Sequence, residues 1–202
     1  MKVGVLALQG DIREHLRALE ECGVDPISVR RTTEIESIDA LILPGGESTT
    51  IAHLAQVFDV FDLIAERISA GMPVYGSCAG MILLADRIID AAKEQKTFGG
   101  LDITVRRNAF GRQVDSFESD LVVAGITPAP MRAVFIRAPW VEEVGAGVQV
   151  LASVKGSDGT SHPVAVRQNG ILATSFHPEL TGDNRIHRYF IEQVCAGSPA
   201  FK

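Results

Sequence analysis

A cysteine with the neighbours of a nucleophile lies in the middle of the chain, within Gly-Ser-Cys-Ala-Gly at residues 76–80. An apolar segment at 73–75 precedes the motif and another at 81–89 follows it, which predicts a strand, a sharp turn and a helix. A nucleophile elbow of this kind requires small residues on both sides of the nucleophile, and glycines occupy positions 76 and 80. The helix dipole would favour a thiolate on Cys78, and the N–H of Ala79 could bind an oxyanion. The alternative is a buried cysteine beside a tight turn.

A histidine near the end of the chain has the position expected of a base for this thiol. His177 follows a predicted strand at 171–175, and ligands bind at the carboxyl ends of parallel strands. Pro178 biases His177 toward an extended backbone, in which residues two apart point the same way. Glu179 is therefore placed to accept a hydrogen bond from the imidazole. A His-Pro-Glu turn without chemistry is the alternative.

The remaining cysteines and histidines lack such a context. Cys22 and Cys195 each lie near a predicted helix end, where a structural role is expected. Three histidines lie in predicted helices, where we expect surface or packing roles, and one lies in a turn, where we expect it to be solvated. The first three are His15, His53 and His187, and the fourth is His162.

A glycine pair follows another buried segment, in Pro-Gly-Gly-Glu-Ser-Thr-Thr at residues 44–50. This is not a phosphate-binding loop, because the Gly-Lys-Ser/Thr ending is missing, and residues 8–11 in the first turn lack a G-x-G-x-x-G pattern. Glycine lets a backbone N–H approach a substrate closely, so the pair could serve an oxyanion. Glu47 could meet a substrate ammonium, and Ser48 could cap the following helix.

The elements that position these residues alternate between strands and helices in the first half of the chain. Strands are predicted at 2–8, 26–30, 39–43 and 73–75, and helices from Ile12 to a stop at Gly23, at 48–70 with an interruption near Asp59, and at 81–89. The second half predicts strands at 101–106, 121–123, 133–136, 148–154, 164–167 and 171–175, a hairpin turn at 155–161 and a helix at 184–196. This order predicts a three-layer α/β fold, flavodoxin-like, with a mostly parallel central sheet and helices on both faces. We expect a single domain spanning residues 1–202.

Composition narrows the class of function. The 202 residues are 46% hydrophobic with a formal net charge of −6 and no basic cluster, which argues against binding to nucleic acid or a membrane surface. Three cysteines without paired spacing indicate neither a disulfide framework nor a zinc site. We therefore expect a cytoplasmic protein that holds no metal.

Taken together, the motifs at 44–48, 76–80 and 175–179 resemble those of the class I, triad-type glutamine amidotransferases. The segments 5–10, 43–50, 107–118 and 135–139 are further similar to one branch of that family, the glutaminase subunits of pyridoxal 5′-phosphate synthase. The similarity covers essentially the whole chain, and 107–118 is its most specific part.

The resemblance implies a role for each site residue. Cys78 would attack the glutamine amide, His177 would pass protons and Glu179 would orient it, while the N–H groups of Gly46 and Ala79 would stabilise the tetrahedral intermediate. The residues implied to line the glutamine site are Gly45, Gly46, Glu47, Arg107, Ile136 and Arg137. Without the resemblance, the Arg-Arg pair at 106–107 would be interpreted as a surface ion-pair site.

The resemblance also implies the partners. The substrate would be L-glutamine, and the ammonia would pass to a (β/α)₈-barrel synthase subunit within a large hetero-oligomer. That subunit would combine it with a pentose phosphate and glyceraldehyde 3-phosphate. The chain itself would need no cofactor.

Two alternatives to this function stay open at the level of sequence. One is a relative with different chemistry, either an amidotransferase subunit of another pathway or a stand-alone γ-glutamyl hydrolase. The other is a catalytically inactive relative that acts as a binding or scaffold protein. The segments 92–97 and 155–162 are atypical of the branch and are expected to be loops.

Overall fold

A computed structural model describes residues 1–91, 95–109, 116–126, 129–156 and 159–197. The first half contains β1 (Lys2–Leu6), α1 (Ile12–Glu21), β2 (Asp25–Val29), α2 (Thr32–Glu36), β3 (Ala40–Leu43), α3 (Ser48–Val57), α4 (Phe61–Ser69), β4 (Val74–Ser77), α5 (Ala79–Leu84) and β5 (Ala85–Ile89). The second half contains β6 (Leu101–Arg106), β7 (Phe117–Leu121), β8 (Met131–Phe135), β9 (Trp140–Val144), β10 (Gln149–Lys155), β11 (Ser161–Gln168), β12 (Ile171–Thr174), a 3₁₀ turn (Pro178–Leu180), α6 (Arg185–Tyr189) and a π-helical segment (Phe190–Cys195).

The central sheet has seven strands in the order β10-β11-β12-β4-β3-β1-β2. Its five strands from β12 to β2 are parallel, while β10 and β11 are antiparallel. The predicted mostly parallel α/β sheet is therefore confirmed. Two smaller sheets, β5-β6-β9 and β7-β8, accompany it.

Strand β3 explains why helices cover both faces of the sheet. All four of its residues are buried, as expected of a parallel strand with helices on either side. Leu41 and Leu43 belong to the apolar core that includes Ile51 of α3, whereas Ile42 belongs to the core on the other side, which includes Leu19 of α1. The alternation of side chains along the strand thus supplies both cores at once.

The predicted helix at 81–89 is wrong in its second half. Helix α5 ends at Leu84, and Ala85 takes an extended backbone with φ −66° and ψ 138°. The chain continues as β5, which pairs in parallel with β6, and Arg87 bonds to Thr104 and Asp102 on that strand. A short apolar segment does not by itself distinguish a buried helix from a strand, and pairing with β6 decides it here.

Other differences concern short elements. Strand β9 was not predicted, because Trp-Val-Glu-Glu-Val has no clear alternation, and the five-residue α2 is too short for a helical period. Strand β7 ends at Leu121, where the sequence predicted a strand at 121–123. The break near Asp59, which has φ 55°, and the helix stop at Gly23, which has φ 80°, are confirmed.

Three predicted segments extend beyond the described residues. Residues 92–94 of the loop at 92–97 and residues 110–115 of the specific stretch at 107–118 lie outside them. In the hairpin, Lys155 pairs with Ser161 across antiparallel strands, but residues 157–158 lie outside the described part. Within the part of the chain that the structure does describe, no helix is long and apolar enough to cross a bilayer.

The junction of β4 with α5 is packed so closely that two glycines are required. A Cβ on Gly76 would lie 2.5 Å from the carbonyl carbon of Gly80, and a Cβ on Gly80 would meet the backbone oxygen of Leu43. The start of α5 therefore rests directly on the ends of β4 and β3.

We expect Gly80→Ala to lower the free energy of unfolding by about 1–3 kcal/mol, because the added methyl forces α5 away from Leu43. Gly147→Ala is the matched control, since its nearest contact would be the flexible Gln168 amide at 3.4 Å. Urea unfolding measures both variants. Equal stability of the two would contradict the close packing inferred at this junction.

Candidate active site

Two adjacent parallel strands bring Cys78 and His177 to one edge of the sheet. Strand β12 pairs with β4 so that Thr174 lies opposite Ser77, the residue before Cys78. The Cys78 N–H donates to the Thr174 carbonyl at 2.8 Å, and the His177 N–H donates to the Val134 carbonyl at 2.9 Å. Because neighbouring strands lie about 4.8 Å apart, residues just beyond their ends can touch.

Cys78 has the strained backbone that a nucleophile elbow requires. Its φ of 49° and ψ of −98° are unusual for a residue with a side chain. The residue is 6% exposed, and its sulfur lies 3.9 Å from the carbonyl oxygen of Ile136. Its position just before α5 leaves the first N–H groups of that helix, including that of Ala79, without partners inside the helix.

The imidazole of His177 is held by Glu179. Its Nδ1 lies 2.8 Å from Oε1 of Glu179, which is fully buried in the 3₁₀ turn after β12. Since Nδ1 is engaged by the carboxylate, Nε2 is the ring atom that can face the Cys78 sulfur. The carboxylate also accepts from the Ser77 hydroxyl, at 3.1 and 3.2 Å to its two oxygens. Ser77 was not identified from the sequence, although it belongs to the predicted elbow.

The electrostatics of the site favour an ion pair. Burial lowers the pKa of His177, but hydrogen bonds to Asp11, Cys78 and Glu179 outweigh it and raise the pKa to about 12. Burial raises the pKa of Glu179, whereas the nearby His15 and the hydrogen bond from His177 lower it to about 2. The resting site therefore holds an imidazolium between a sulfur and a carboxylate.

A second carboxylate, missed in the sequence, also faces this ring. Oδ2 of Asp11 lies 3.3 Å from Nδ1 of His177. Asp11 follows β1, which is two strands from β4 in the sheet, and therefore lies at the same edge. Its position directly after a strand is the feature of the sequence that could have identified it. Ligand atoms of Asp11, His177 and Glu179 lie within 4.8 Å of one another, close enough to hold a cation, but contacts among the three groups themselves account for their closeness.

The glycine pair after β3 lies against the same histidine. The carbonyl of Gly45 accepts from the Asp11 N–H at 3.1 Å, and a Cβ on Gly45 would lie 2.7 Å from Nδ1 of His177. Gly46 has φ 152°, and the next N–H, that of Glu47, donates to Oε1 of Gln9 at 2.8 Å. The turn after β1 thus holds the predicted oxyanion loop in place.

The predicted cap on α3 is wrong by one residue. Glu47, not Ser48, is the N-cap, and its carboxylate accepts from the N–H groups of Thr49 at 3.1 Å and Thr50 at 2.7 Å. A glutamate can take this place because its longer side chain folds back to reach the first turn. Ser48 is instead buried, and its hydroxyl accepts from the Gln95 amide at 2.9 Å.

Glu47 also forms an ion pair with Arg107. The guanidinium lies 3.1 Å from the Glu47 carboxylate and donates to Oε1 of Gln95 at 2.8 Å. The alternative of a surface ion-pair site holds for Arg106, whose side chain is 36% exposed and pairs with Asp90 and Glu142, whereas the Arg107 side chain is 17% exposed and lines the cavity. Two opposite charges therefore lie side by side in the wall of the site.

These groups line a cavity of about 400 Å³. Eight of the predicted site residues line it: Gly46, Glu47, Cys78, Ala79, Arg107, Ile136, Arg137 and His177. Gly45 and Glu179 lie behind this surface and support it. The lining residues that the sequence did not identify are Gln9, Asp11, Ser48, Ile82, Asn108 and Leu180.

The other cysteines and histidines lie away from the cavity. Burial raises the pKa of Cys22 and raises that of Cys195 to about 12, which suits inert thiols. The prediction that His162 is solvated is wrong, because the residue is 8% exposed and stacks on Trp140 with ring centroids 3.7 Å apart. His53 is exposed, as expected for a surface role, whereas His15 and His187 are fully buried.

The fold and this site together define a class of protein: an α/β fold with a cysteine at a strand-helix elbow beside a histidine and a glutamate. Comparison with known proteins identifies the family. The sequence profile of the SNO glutamine amidotransferase family matches residues 5–196. A crystal structure described as a glutamine amidotransferase superposes with a TM-score of 0.86 at 49% identity, covering 96% of this chain and 98% of that one.

Two curated relatives carry a more specific name. Pyridoxal 5′-phosphate synthase subunit PdxT of Nocardia farcinica is 60% identical over 96% of this chain and 86% of its own length. The protein of that name from Kineococcus radiotolerans is 59% identical over 95% of this chain and 94% of its own. The chain belongs to the SNO glutamine amidotransferase family.

The buried Glu179 carboxylate gives a pH-dependent prediction. Its lowered pKa adds stability that is fully present above the ordinary value of 4.5 and is lost as the pH falls through about 2. We expect Glu179→Gln to remove up to about 3 kcal/mol of the pH dependence of unfolding in this window. Denaturant unfolding at successive pH values measures it. Glu66→Gln, at an exposed position, is the control, and the same pH dependence in both variants would contradict the assignment.

Proposed function

We propose that the chain is the glutaminase subunit of a pyridoxal 5′-phosphate synthase and releases ammonia from L-glutamine by way of a thioester on Cys78. The observation that carries this proposal is the hydrogen-bonded series from Cys78 to His177 to Glu179, which opens into a cavity of about 400 Å³. The sequence identity of about 60% to proteins named as the PdxT subunit supports the proposal that the ammonia is used in pyridoxal 5′-phosphate synthesis.

The charged wall of the cavity matches the head group of an amino acid. A zwitterionic α-carbon carries an ammonium and a carboxylate side by side, and Glu47 and Arg107 lie 3.1 Å apart. We assign the ammonium to Glu47 and the carboxylate to Arg107, with Arg137 and the backbone of Ile136 lining the path to the sulfur. Glu47 is already fixed by its bonds to α3, so little side-chain entropy is lost on binding.

The first half of the reaction transfers the γ-glutamyl group to the enzyme. The Cys78 thiolate attacks the amide carbon, and the electron pair of the C=O bond moves to the oxygen. The N–H groups of Ala79 and Gly46 stabilise that oxyanion. When the intermediate collapses, the C–N bond breaks and the nitrogen takes a proton from the His177 imidazolium, so that ammonia leaves and a thioester remains.

The second half hydrolyses the thioester. His177 is now neutral and removes a proton from a water molecule as its oxygen attacks the thioester carbon. Collapse of this intermediate breaks the C–S bond and releases glutamate, with the sulfur again paired with an imidazolium. Glu179 stays ionised throughout and keeps the same ring orientation in both halves, consistent with its lowered pKa of about 2.

The synthase subunit, proposed to be a (β/α)₈ barrel in a hetero-oligomer, would receive the ammonia and activate the glutaminase. The peptide between Gly45 and Gly46 is the proposed moving part. Its carbonyl is now held by the Asp11 N–H, and rotation of the peptide would exchange that bond for an N–H directed at the oxyanion. We place the complex in the cytoplasm, where the free thiols of all three cysteines would stay reduced.

Cys78→Ala should abolish ammonia release from L-glutamine, because the variant has no atom that can form the thioester. Cys22→Ala, which changes a thiol remote from the cavity, should keep wild-type activity. Ammonia assays and mass spectrometry after labelling with a glutamine-analogue electrophile, both with the synthase subunit present, test both variants. Labelling of the Cys78→Ala chain, or ammonia release by it, would contradict the mechanism, and an unlabelled, inactive wild type would favour a scaffold role.

Adding the synthase subunit should raise the rate of ammonia release by about 10²- to 10³-fold, the usual effect of one oxyanion-hole donor. The assay compares the chain alone with the chain plus the purified barrel subunit at equal concentrations. A barrel subunit of an unrelated enzyme is the control. An isolated chain that already works at its full rate, unaffected by the synthase, would contradict activation by docking.

A further inference from the structure

Two fully buried histidines behind the triad take no part in the mechanism above. His15 on α1 and His187 on α6 are both 0% exposed, although histidine can bond through two ring nitrogens. Burial lowers the pKa of His15, and it lowers the pKa of His187 to about 3, so both rings are neutral near pH 7. A neutral imidazole carries one N–H, and its position depends on the surroundings.

The two rings lie one behind the other next to the triad carboxylate. Nδ1 of His15 lies 2.9 Å from Nε2 of His187, within hydrogen-bond distance. Nε2 of His15 makes no hydrogen bond among the described residues, but it lies 3.5 Å from Oε1 of Glu179, which is the oxygen that accepts from His177. The edges of both rings meet the Tyr75 ring nearly at right angles, at 78° and 87°, which fixes their planes.

Only one arrangement of the two protons avoids a repulsive contact. If His15 carried its proton on Nδ1, its Nε2 lone pair would face the ionised Glu179 carboxylate across 3.5 Å. If His15 carries it on Nε2, that N–H faces the carboxylate, and Nδ1 accepts from the Nε2–H of His187. The remaining Nδ1 of His187 is then an acceptor without a hydrogen-bond partner among the described residues. Leaving a buried acceptor unpaired costs less free energy than leaving a buried N–H donor unpaired.

We propose that His15 is a positioning residue for the glutaminase reaction, and that His187 fixes the tautomer in which the Nε2–H of His15 faces the carboxylate of Glu179. The proposal rests on the proposed function, because Glu179 acts there by orienting His177. Two donors, the Nδ1–H of His177 and the Ser77 hydroxyl, bond to the buried carboxylate, and Nε2 of His15 lies 3.5 Å from it, close enough for an electrostatic contact but without a hydrogen bond. The His15 dipole opposes protonation of Glu179 and stops its carboxylate from turning away from the imidazole.

The tautomer can be observed without any activity. In ¹⁵N-histidine-labelled full-length chain, long-range ¹H–¹⁵N spectra distinguish Nδ1–H from Nε2–H rings. We expect Nε2–H for both His15 and His187, with the resonances assigned from their loss in His15→Phe and His187→Phe. An Nδ1–H tautomer or a protonated ring at His15 near pH 7 would overturn the proposal, whether or not the chain hydrolyses glutamine.

Kinetics separate positioning from a merely structural role. With L-glutamine and the synthase subunit present, His15→Phe should lower kcat about 10-fold, less than the 10² or more of a general acid-base. KM should stay within about 2-fold, since His15 does not line the cavity. His15→Gln should recover most of kcat, because its amide N–H lies near the place of Nε2.

His162→Phe is the matched control, because His162 is another buried histidine whose ring stacks on Trp140, and it should leave kcat unchanged. Equal kcat in His15→Phe and His162→Phe, or no recovery in His15→Gln, would overturn the proposal. If His15→Phe does not fold, His15→Gln and the tautomer spectra of the wild type decide. A wild type that releases no ammonia would instead contradict the proposed function and leave the tautomer result standing.

Discussion

Strands β4 and β12 run in parallel at the centre of the sheet, with Ser77 opposite Thr174. Everything in the site depends on this pairing, because it ends two strands at one edge and places Cys78 beside the segment that carries His177. The backbone bond from Cys78 to Thr174 joins the two strand ends directly. A shift of the pairing by one residue would turn every side chain to the opposite face and separate the sulfur from the imidazole.

Around that pairing, the loops at the same edge support one another. The turn after β1 holds the glycine loop after β3 through Gln9 and Asp11, and the glycine loop in turn lies against the imidazole. The elbow depends on direct contact between backbones, which Gly76 and Gly80 allow. The site is therefore assembled from main-chain contacts at strand ends, and its side chains are added to a backbone that is already positioned.

The sequence predicted the parallel sheet, and local motifs next to strands led to Cys78, His177 and the glycine pair. The family resemblance alone supplied Arg107, Ile136 and Arg137, and six other residues that line the cavity, Asp11 among them, were missed. The sequence did not predict the connection of His15 to His187, since 172 residues separate them and neither lies in a motif. The strand after Leu84 was missed because its partner β6, not its own apolar content, decides its conformation. The cap on α3 was misassigned because a serine usually takes that place, whereas the Glu47 side chain reaches the same N–H groups.

Under the proposed mechanism, the fixed position of Glu47 has a consequence for which amino acids the cavity would accept. Its carboxylate is held by N–H groups of α3, Cys78 is held by the elbow, and both residues line the cavity. If Glu47 holds the α-amino group as proposed, these two fixed groups would select a substrate by length: in asparagine, one methylene shorter, the amide carbon would fall short of the sulfur. A chain-length preference of this kind requires no residue that contacts the middle of the substrate, since the rigidity of both groups is enough.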